Sequence, residues 1–342
     1  MKVVKLTTSL EKKYCDFLDK NPNSMLYHTL KYKKLLESFI SCNSDYLICI
    51  DEYENVTGVL PVMSKNGIYG KVYNALPFYG ANGSILFENI EVRKSIIEAY
   101  NHLVVDSLSA TLITSPFDAQ PEPNDLKYDL KDYRIGQITF FPVNANDLMS
   151  LFHYKTRNMV RKAQKNNIVI KIENTSDALE YLYSTHVENL EEIGGKVKTK
   201  YFFDSFQVHF EAGKDFNIYV AYINGIRIAA LLLFYHKKIV EYYTPVISQN
   251  YRELQPLSLL IFEAMQDAVQ NGFTSWNWGG TWGSQDGVYR FKQRWGTTDI
   301  NYYYYSQINN ESAYYVSKEK LLNEYEYFFV LPFQSLKPKL QS

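Results

Sequence analysis

The sequence predicts an α+β protein made of two similar units, each a mainly antiparallel sheet flanked by helices. Three observations predict this class. A length of 342 residues exceeds what one hydrophobic core commonly supports, so two domains are expected. The hydrophobic pattern changes between period two and the helical period along both halves of the chain. Both halves also repeat one order of elements, and this agreement is stronger than any single assignment.

The second half shows the clearer pattern. A helix is expected over 176–191, with Ser176 and Asp177 as candidate caps, and a second helical stretch near 201–212. Two strand-like runs, FNIYVAYI and IRIAALLLFY, flank Asn224-Gly225. This dipeptide favours a tight β-hairpin, and IVEYYTPV supplies a third strand. The order so far is helix, helix and three meandering strands.

A long helix and a short strand complete this half. Apolar residues recur at helical spacing from Leu257 to Val269, so one face of a helix is apolar. Pro256 suits the first turn of this helix and Gly272 suits its end. A strand is expected around Trp276 to Trp278.

The first half repeats the order more faintly. Helices are expected near 9–19 and 29–40, followed by the strands YLICIDE and VTGVLPVMS. A turn at Asn66-Gly67 leads to IYGKVYNAL. The loop of residues 79–83 contains two glycines and is expected to be a tight turn rather than a phosphate loop. A helix near 90–107 and the strand TLITS follow.

Composition narrows the function classes. The formal net charge is −1, so no global field favours nucleic acid or an anionic membrane. The three cysteines, Cys15, Cys42 and Cys49, form no C-x-x-C pair, and the histidines form no ligand pair. This pattern predicts a reduced protein without disulfides or a metal site. The N-terminus turns charged too early for a secretory signal, so a cytoplasmic location is expected.

Three segments carry a resemblance to a known family. Residues 155–163 (KTRNMVRKA) form a basic helix pattern, PLSLLIFEAMQDAVQNGF precedes WNWGG at 276–280, and residues 287–296 read GVYRFKQRWG. In this order they resemble the Fem family of peptidyl and aminoacyl transferases. The resemblance implies two tandem GNAT-like acyltransferase lobes. Residues 1–141 would form the first, with 316–342 packing back on it and a helix near 315–330, and residues 142–315 the second, with the active-site cleft.

The resemblance also implies candidate catalytic residues. Acyl transfer to an amine needs a positive or donating group near the developing oxyanion. Lys292 matches the lysine of the family's Phe-Lys motif, and Phe291 would hold it in place. The alternative is a surface lysine on an exposed strand. Glu241, where GNAT enzymes often keep a carboxylate, and Asp286 are candidate general bases, acting directly or through water.

Candidate substrate-binding residues follow from spacing and from the resemblance. Arg157 and Arg161 stand four apart and project from one helix face, either to meet phosphates or as a solvated surface. Tyr201 and Tyr243 resemble tyrosines that contact the acceptor in the family. Lys198 lies in the basic loop before Tyr201.

Two departures from the family pattern concern the acceptor. The arginine expected four residues before Tyr201 is Val197, although Lys198 follows it directly. The phosphate-holding lysine expected in the first lobe is replaced by Leu36. The second departure casts doubt on the standard muramyl-pentapeptide acceptor and makes a different nucleotide-linked or lipid-linked amino-sugar a serious option.

Two segments each allow two interpretations, the one after Trp278 and the one at the place of the GNAT diphosphate loop. Trp278, Gly279 and Gly280 are candidate substrate-binding residues, and the two glycines either let a linear substrate approach the backbone or only bend the chain after a strand. The place of the GNAT diphosphate loop, between Arg252 and Pro256, lacks both small residues, and proline removes one N–H donor. No tightly bound cofactor is expected, and the acyl donor is either aminoacyl-tRNA or acyl-CoA.

The sequence therefore predicts an N-acyltransferase that acts on an amine of a cell-envelope precursor. That acceptor is a peptidoglycan peptide or a nucleotide-linked or lipid-linked amino-sugar. A lipid-linked substrate would bring peripheral contact with a membrane, and the oligomeric state is left open. The alternative is a catalytically inactive GNAT-like module that binds a sugar nucleotide or glycan.

Overall fold

Helices and strands follow the predicted order in both halves of the chain, in a computed structural model that describes residues 1–78, 81–117 and 125–338. The first two residues of the glycine-containing loop predicted over 79–83 lie outside these described residues. The chain divides into one unit of Met1–Arg134 with Asn301–Ser342 and a second unit of Ile135–Ile300. No described helix has the length and the apolar character needed to cross a membrane.

The elements of the first unit are short strands and three main helices. In chain order they are β1 (Lys2–Lys5), α1 (Glu11–Lys20), α2 (Leu30–Phe39), β2 (Asn43–Ser44), β3 (Leu47–Ile50), β4 (Val56–Leu60), β5 (Met63–Gly67), β6 (Gly70–Asn74), β7 (Leu86–Phe87), α3 (Ile90–Val104) and β8 (Ser109–Ile113).

The rest of the chain forms the second unit and then returns to the first. In chain order the elements are β9 (Leu130–Phe140), α4 (Leu148–Leu151), α5 (Tyr154–Gln164), β10 (Val169–Ile172), α6 (Ser176–Glu191), α7 (Lys200–His209), β11 (Phe216–Ile223), β12 (Ile226–His236), β13 (Ile239–Ile247), α8 (Pro256–Gln270), β14 (Ser275–Thr281), α9 (Asp286–Gln293), β15 (Thr298–Ile308) and α10 (Lys318–Glu324).

The sheet of the second unit has the strand order β10-β11-β12-β13-β14-β9. Its neighbours are antiparallel except for β13 and β14, which are parallel and are joined by the crossover helix α8. Their pairing covers only Ile239–Glu241 with Ser275–Asn277. Since β13 continues to Ile247 and β14 to Thr281, the two strands separate after this third pair.

The core of the second unit lies between α8 and the sheet. Leu260, Ile261, Ala264 and Met265 of the predicted apolar helix face are fully buried, and they pack with three tryptophans, Trp276, Trp278 and Trp295. Burial of this many large apolar side chains is the main stabilising contribution expected for the unit. Since this core includes Val240 of β13 and Trp276 of β14, it packs against the two strands that separate.

The first unit repeats this arrangement. Here β6 and β8 are parallel, their pairing covers Val72–Asn74 with Ser109–Thr111, and α3 connects them. The outer neighbour of β8 is β15, which is antiparallel. A second sheet of the order β1-β3-β4-β7 lies in the same unit.

The local predictions that rested on turn and cap chemistry are largely confirmed. The hairpin turn has positive φ at Asn224 (49°) and Gly225 (79°), as a tight β-turn of this kind requires, and Gly272 after α8 has φ of 75°. The helix predicted over 176–191 has these bounds, but its N-cap is Thr175, whose side chain accepts from the amide of Ala178.

Three predictions were wrong in detail. The strand predicted over 56–64 is broken at Pro61 into β4 and β5, because proline has no N–H for the strand ladder. Asn66-Gly67 lies within β5, and the turn falls at the next two residues. The helix predicted over 315–330 is confined to Lys318–Glu324.

Leu36, at the position of the lysine that the family pattern would place in the first lobe, is fully buried. The nearby Lys33 pairs with Glu37, with 2.6 Å between the amine and the carboxylate. At this place in the first unit, Leu36 therefore belongs to the hydrophobic core, and Lys33 is used in an ion pair at the surface.

Candidate active site at the strand separation

Lys292 lies on α9 and its amine points at the end of β14. The Nζ atom donates to the Thr281 hydroxyl at 2.9 Å and to the carbonyl oxygens of Gly280 and Gly279 at 3.3 and 3.4 Å. The side chain is only 7% exposed. The alternative prediction from the sequence, that Lys292 is a surface lysine on an exposed strand, is therefore wrong, because the residue lies in a helix and is buried.

The electrostatics of Lys292 differ from those of an ordinary lysine. Its three contacts are neutral oxygens, and no carboxylate among the described residues lies within ion-pair distance. Burial lowers the pKa of Lys292 to about 8, because desolvation disfavours the ammonium form. A positive charge held by neutral oxygens is not cancelled, so it remains able to stabilise a negative charge that develops nearby.

Phe291 and Trp278 hold α9 on the core. The Phe291 ring packs edge-on against Trp278 and Trp295, with ring centroids 6.1 and 6.4 Å apart. Trp278 is 2% exposed and its indole N–H donates to the Thr139 hydroxyl at 2.9 Å. The Trp278 ring is therefore a core side chain, and the structure gives it no face for a ligand.

Glu241 is the last residue of β13 that pairs with β14, at the point where these two strands separate. It is 2% exposed, and its carboxylate accepts from the Asn277 side-chain amide at 2.9 Å. Asn277 in turn accepts from the backbone N–H of Gly279 at 2.9 Å. The structure thus brings Glu241, Gly279, Gly280 and Lys292 into one network, linked by Asn277 and Thr281.

Gly279 shapes the backbone in this network. Its φ is 73°, and an added Cβ atom would meet nothing within 4 Å. The pairing of β14 with β9 also shifts register between Asn277 and Gly280. The glycine is thus required by backbone conformation, and the space beside it is open to a ligand.

Asp286, the other candidate base, lies apart from the network. It begins α9, its side chain is 80% exposed, and it pairs with Arg290 at 3.8 Å. A general base must be within hydrogen-bond reach of the proton it takes. Its surroundings give it no such role, and Glu241 is the better placed carboxylate.

A second, partly buried cluster lies around Lys198. Its amine donates to the Thr244 hydroxyl at 3.2 Å and lies 5.2 Å from the centroid of the Tyr243 ring. Burial lowers the pKa of Lys198 to about 8. Its backbone N–H donates to Nε2 of His186, whose pKa is lowered to about 4 by burial and by the charge of Lys198. The imidazole is therefore neutral and anchors the loop that carries Lys198.

Within the described part of the chain, no hydrogen bond joins Tyr201, Arg157 or Arg161 to either network. Tyr201 is 74% exposed at the start of α7. Arg161 is exposed on α5, whereas Arg157 is half-buried and donates to the carbonyl oxygen of Phe152 at 2.8 Å. Among the described residues, the Arg161 side chain has no hydrogen bond or ion pair, whereas the Arg157 guanidinium is used within its own chain.

Sequence reasoning missed Asn277, Thr281, Gln137, His186 and Thr244. Asn277 had a usable signal, since it alternates with two tryptophans in Trp-Asn-Trp and so faces the other side of the strand. The others had none, because their partners lie on other elements of the chain, outside the local patterns that sequence reasoning uses.

The start of α8 offers little for a diphosphate. Arg252 pairs with Glu192 through its guanidinium, and Gln255 adopts a left-handed conformation with φ of 59° before Pro256. The amides of Ser258 and Leu259 both donate to the Gln255 carbonyl. Within the described part of the chain, no group of three His, Cys, Asp or Glu residues could hold a metal ion.

Comparison with known proteins agrees with this architecture. Residues 150–293 match a family model described as an acetyltransferase (GNAT) domain. The crystal structure of FemX is similar with a TM-score of 0.68 and 13% identity, over 94% of this chain and 99% of that one. L-PGS from Bacillus licheniformis is similar with a TM-score of 0.55 and 11% identity, over 90% and 94%.

A tandem GNAT protein from the clavulanic acid biosynthesis pathway is also similar, with a TM-score of 0.51 and 9% identity over 90% of this chain and 98% of that one. No curated protein sequence matches this chain significantly. The shared architecture and the matched residues define the class of the fold, which is of the GNAT type, and residues 150–293 are similar to its acetyltransferase domain. Within this class the chain has the Fem-like tandem arrangement, so the predicted fold class and the resemblance are confirmed.

Proposed function

We propose that this protein transfers an acyl or aminoacyl group to an amine of a cell-envelope precursor, at the network around Lys292. The observation that carries the proposal is the buried ammonium of Lys292, held by neutral oxygens beside the separating strands of a GNAT-type domain. An uncancelled charge at this place suits the oxyanion of an acyl-transfer intermediate.

The proposed reaction begins when the neutral amine of the acceptor attacks the carbonyl carbon of the donor. A C–N bond forms and the carbonyl oxygen becomes an oxyanion, which the ammonium of Lys292 stabilises. Glu241 takes the proton of the attacking amine, directly or through water. The bond to the leaving oxygen or sulfur then breaks, the leaving group takes this proton from Glu241, and an amide remains.

The acceptor is proposed to carry a negatively charged group. Lys198 with Tyr243, and Arg161 on the exposed face of α5, supply positive charge and hydrogen-bond donors for phosphates. A peptidoglycan peptide and a nucleotide-linked or lipid-linked amino-sugar both fit this chemistry. The substitution of Leu36 for a lysine favours the amino-sugar.

For the donor, the start of α8 favours aminoacyl-tRNA over acyl-CoA. Pro256 lacks an N–H, and the amides of Ser258 and Leu259 donate to the Gln255 carbonyl. A diphosphate therefore finds few backbone donors there.

A ligand screen by thermal shift tests the proposal first. Acetyl-CoA, a non-hydrolysable mimic of the aminoacyl-tRNA end and UDP-linked amino-sugars are compared, since a ligand at 100 times its Kd adds about 2.7 kcal/mol of stability. Stabilisation by the aminoacyl mimic is expected. Stabilisation by acetyl-CoA instead would indicate a CoA-dependent enzyme.

The ligands that bind are then used in a transfer assay with Lys292→Met, which we expect to lower turnover about 10²- to 10³-fold. Lys238→Met, at an exposed turn, is the matched control and should keep full turnover. Turnover that survives in Lys292→Met would contradict the site. Binding of a UDP-sugar with no turnover in the wild type would indicate the inactive binding module instead.

A further inference from the structure

A chain of hydrogen bonds connects Lys292 to a residue of β9. The Thr281 hydroxyl, which accepts from Lys292 at 2.9 Å, donates to the side-chain oxygen of Gln137 at 3.1 Å. The side-chain nitrogen of Gln137 donates to the carbonyl oxygen of Tyr289 at 3.2 Å and to the Thr297 hydroxyl at 3.5 Å. Three elements, β9, β14 and α9, are thus joined at one point.

Donor and acceptor accounting fixes the direction of this chain. A threonine hydroxyl has one hydrogen, and here it goes to Gln137. The amide hydrogens of Gln137 go to Tyr289 and Thr297, so its oxygen must face Thr281. The lone pairs of the Thr281 oxygen are therefore left for the ammonium of Lys292. Both Thr281 and Gln137 are fully buried, so water does not compete for these contacts.

We propose that Thr281, oriented by Gln137, is the positioning residue of Lys292 and holds its ammonium without cancelling its charge. A carboxylate in the place of Thr281 would also orient the amine, but it would neutralise the charge that the oxyanion needs. The contacts to Gly279 and Gly280 are longer, at 3.4 and 3.3 Å. They are the contacts that an incoming oxyanion displaces, while the Thr281 contact stays.

The role in transfer rests on the proposed function, but the positioning itself is measurable without a substrate. In protein labelled with ¹³C at the lysine Cε, NMR titration gives the pKa of Lys292, and the signal is assigned by its loss in Lys292→Met. Thr281→Val keeps the shape of the side chain and removes the oxygen, so the pKa of Lys292 should fall further below about 8. Thr281→Ser should restore it.

Gln137→Glu should shift the pKa of Lys292 in the opposite direction. A carboxylate at this position places a negative charge behind Thr281, so the pKa of Lys292 should rise. Thr274→Val makes the same chemical change at an exposed position and should leave the titration unchanged. If Thr281→Val fails to fold by its melting curve, the Gln137→Glu titration decides on the same readout.

With a donor and acceptor in hand, Thr281→Val should lower kcat about 10- to 100-fold with KM little changed, because a misplaced group costs transition-state rather than ground-state binding. Thr281→Ser should recover most of this rate. Unchanged pKa of Lys292 in both Thr281→Val and Gln137→Glu would overturn the proposal. Full transfer by Lys292→Met would instead overturn the proposed function, while the titration result would stand.

Discussion

Asn74 and Phe329 hold each other by two hydrogen bonds within the first unit. The Asn74 side chain accepts from the Phe329 amide at 2.7 Å and donates to the Phe329 carbonyl at 2.8 Å. Asn74 ends the parallel pairing of β6 with β8, as Glu241 ends that of β13 with β14. Asn74 and Glu241 thus occupy equivalent positions of the duplicated unit. In the first unit this position binds the C-terminal segment of the chain, and in the second it carries a buried carboxylate.

Asn74→Ala should destabilise the protein, because it removes both hydrogen bonds and leaves the partly buried Phe329 backbone groups without these partners. The expected loss is about 2 to 4 kcal/mol in the free energy of unfolding, measured with urea. Asn66→Ala, on the exposed surface of the same unit, should change it by less than about 0.5 kcal/mol. Equal effects of the two variants would show that the C-terminal segment is not held through Asn74.

Lys292→Met should make the protein more stable at neutral pH while it lowers turnover. The pKa of Lys292 is about 8 in the folded protein and 10.5 ordinarily, so below pH 8 the fold bears the full cost of the buried ammonium. This cost is at most about 3 kcal/mol. Between pH 8 and 10.5 the folded wild type loses the proton of Lys292, while its unfolded chain keeps it. The wild type therefore gains stability with rising pH, and the difference in stability between it and Lys292→Met should shrink. Melting curves across this range check the sign, and a difference that is independent of pH would contradict it.

His186→Gln should flatten the loss of stability in weak acid. The pKa of His186 is lowered from 6.5 to about 4 by burial and by Lys198. Between these values the unfolded chain binds a proton that the folded protein does not, so stability falls as pH falls. This contribution is at most about 3 kcal/mol at pH 4. Glutamine keeps an acceptor for the Lys198 amide without titrating, and urea unfolding at pH 7 and pH 4.5 measures the difference.

Gly279→Ala should separate backbone strain from function. Gly279 and Gly225 both have positive φ, 73° and 79°, and an added Cβ atom would meet nothing at either site. Alanine should therefore cost about 1 kcal/mol of stability at both positions. Only Gly279→Ala should also impair transfer, since its carbonyl contacts Lys292. Equal transfer rates in the two variants would remove Gly279 from the site.

Arg161→Ala should weaken binding of a phosphate-bearing ligand in a salt-dependent manner, with little change in stability. Arg157→Ala should instead cost about 1 kcal/mol of stability, because its guanidinium bonds the Phe152 carbonyl. Binding measured at two salt concentrations checks the first statement. Lys171→Ala, an exposed cation on β10, serves as control, and an equal loss in that variant would show a general charge effect.

Local features of the sequence were sufficient for much of the second unit. The period of the apolar residues determined α8, Asn224-Gly225 determined the hairpin, and the element order indicated a duplicated unit. These signals act within a few residues, where backbone preference and side-chain period are set. The first unit was predicted less well, because its strands are short and Pro61 divides one of them between two sheets.

The sequence by itself determined the fold class, the order of elements and the presence of Lys292 after Phe291. Only the tertiary structure decided that Lys292 is helical, buried and held by Thr281, and that Thr281 is held in turn by Gln137. The physical reason is separation along the chain. Thr281 and Gln137 are 144 residues apart and meet through the pairing of β14 with β9, and no local period or turn residue specifies such a pairing. The lowered pKa of Lys292 has the same origin, since burial is a property of the packed chain.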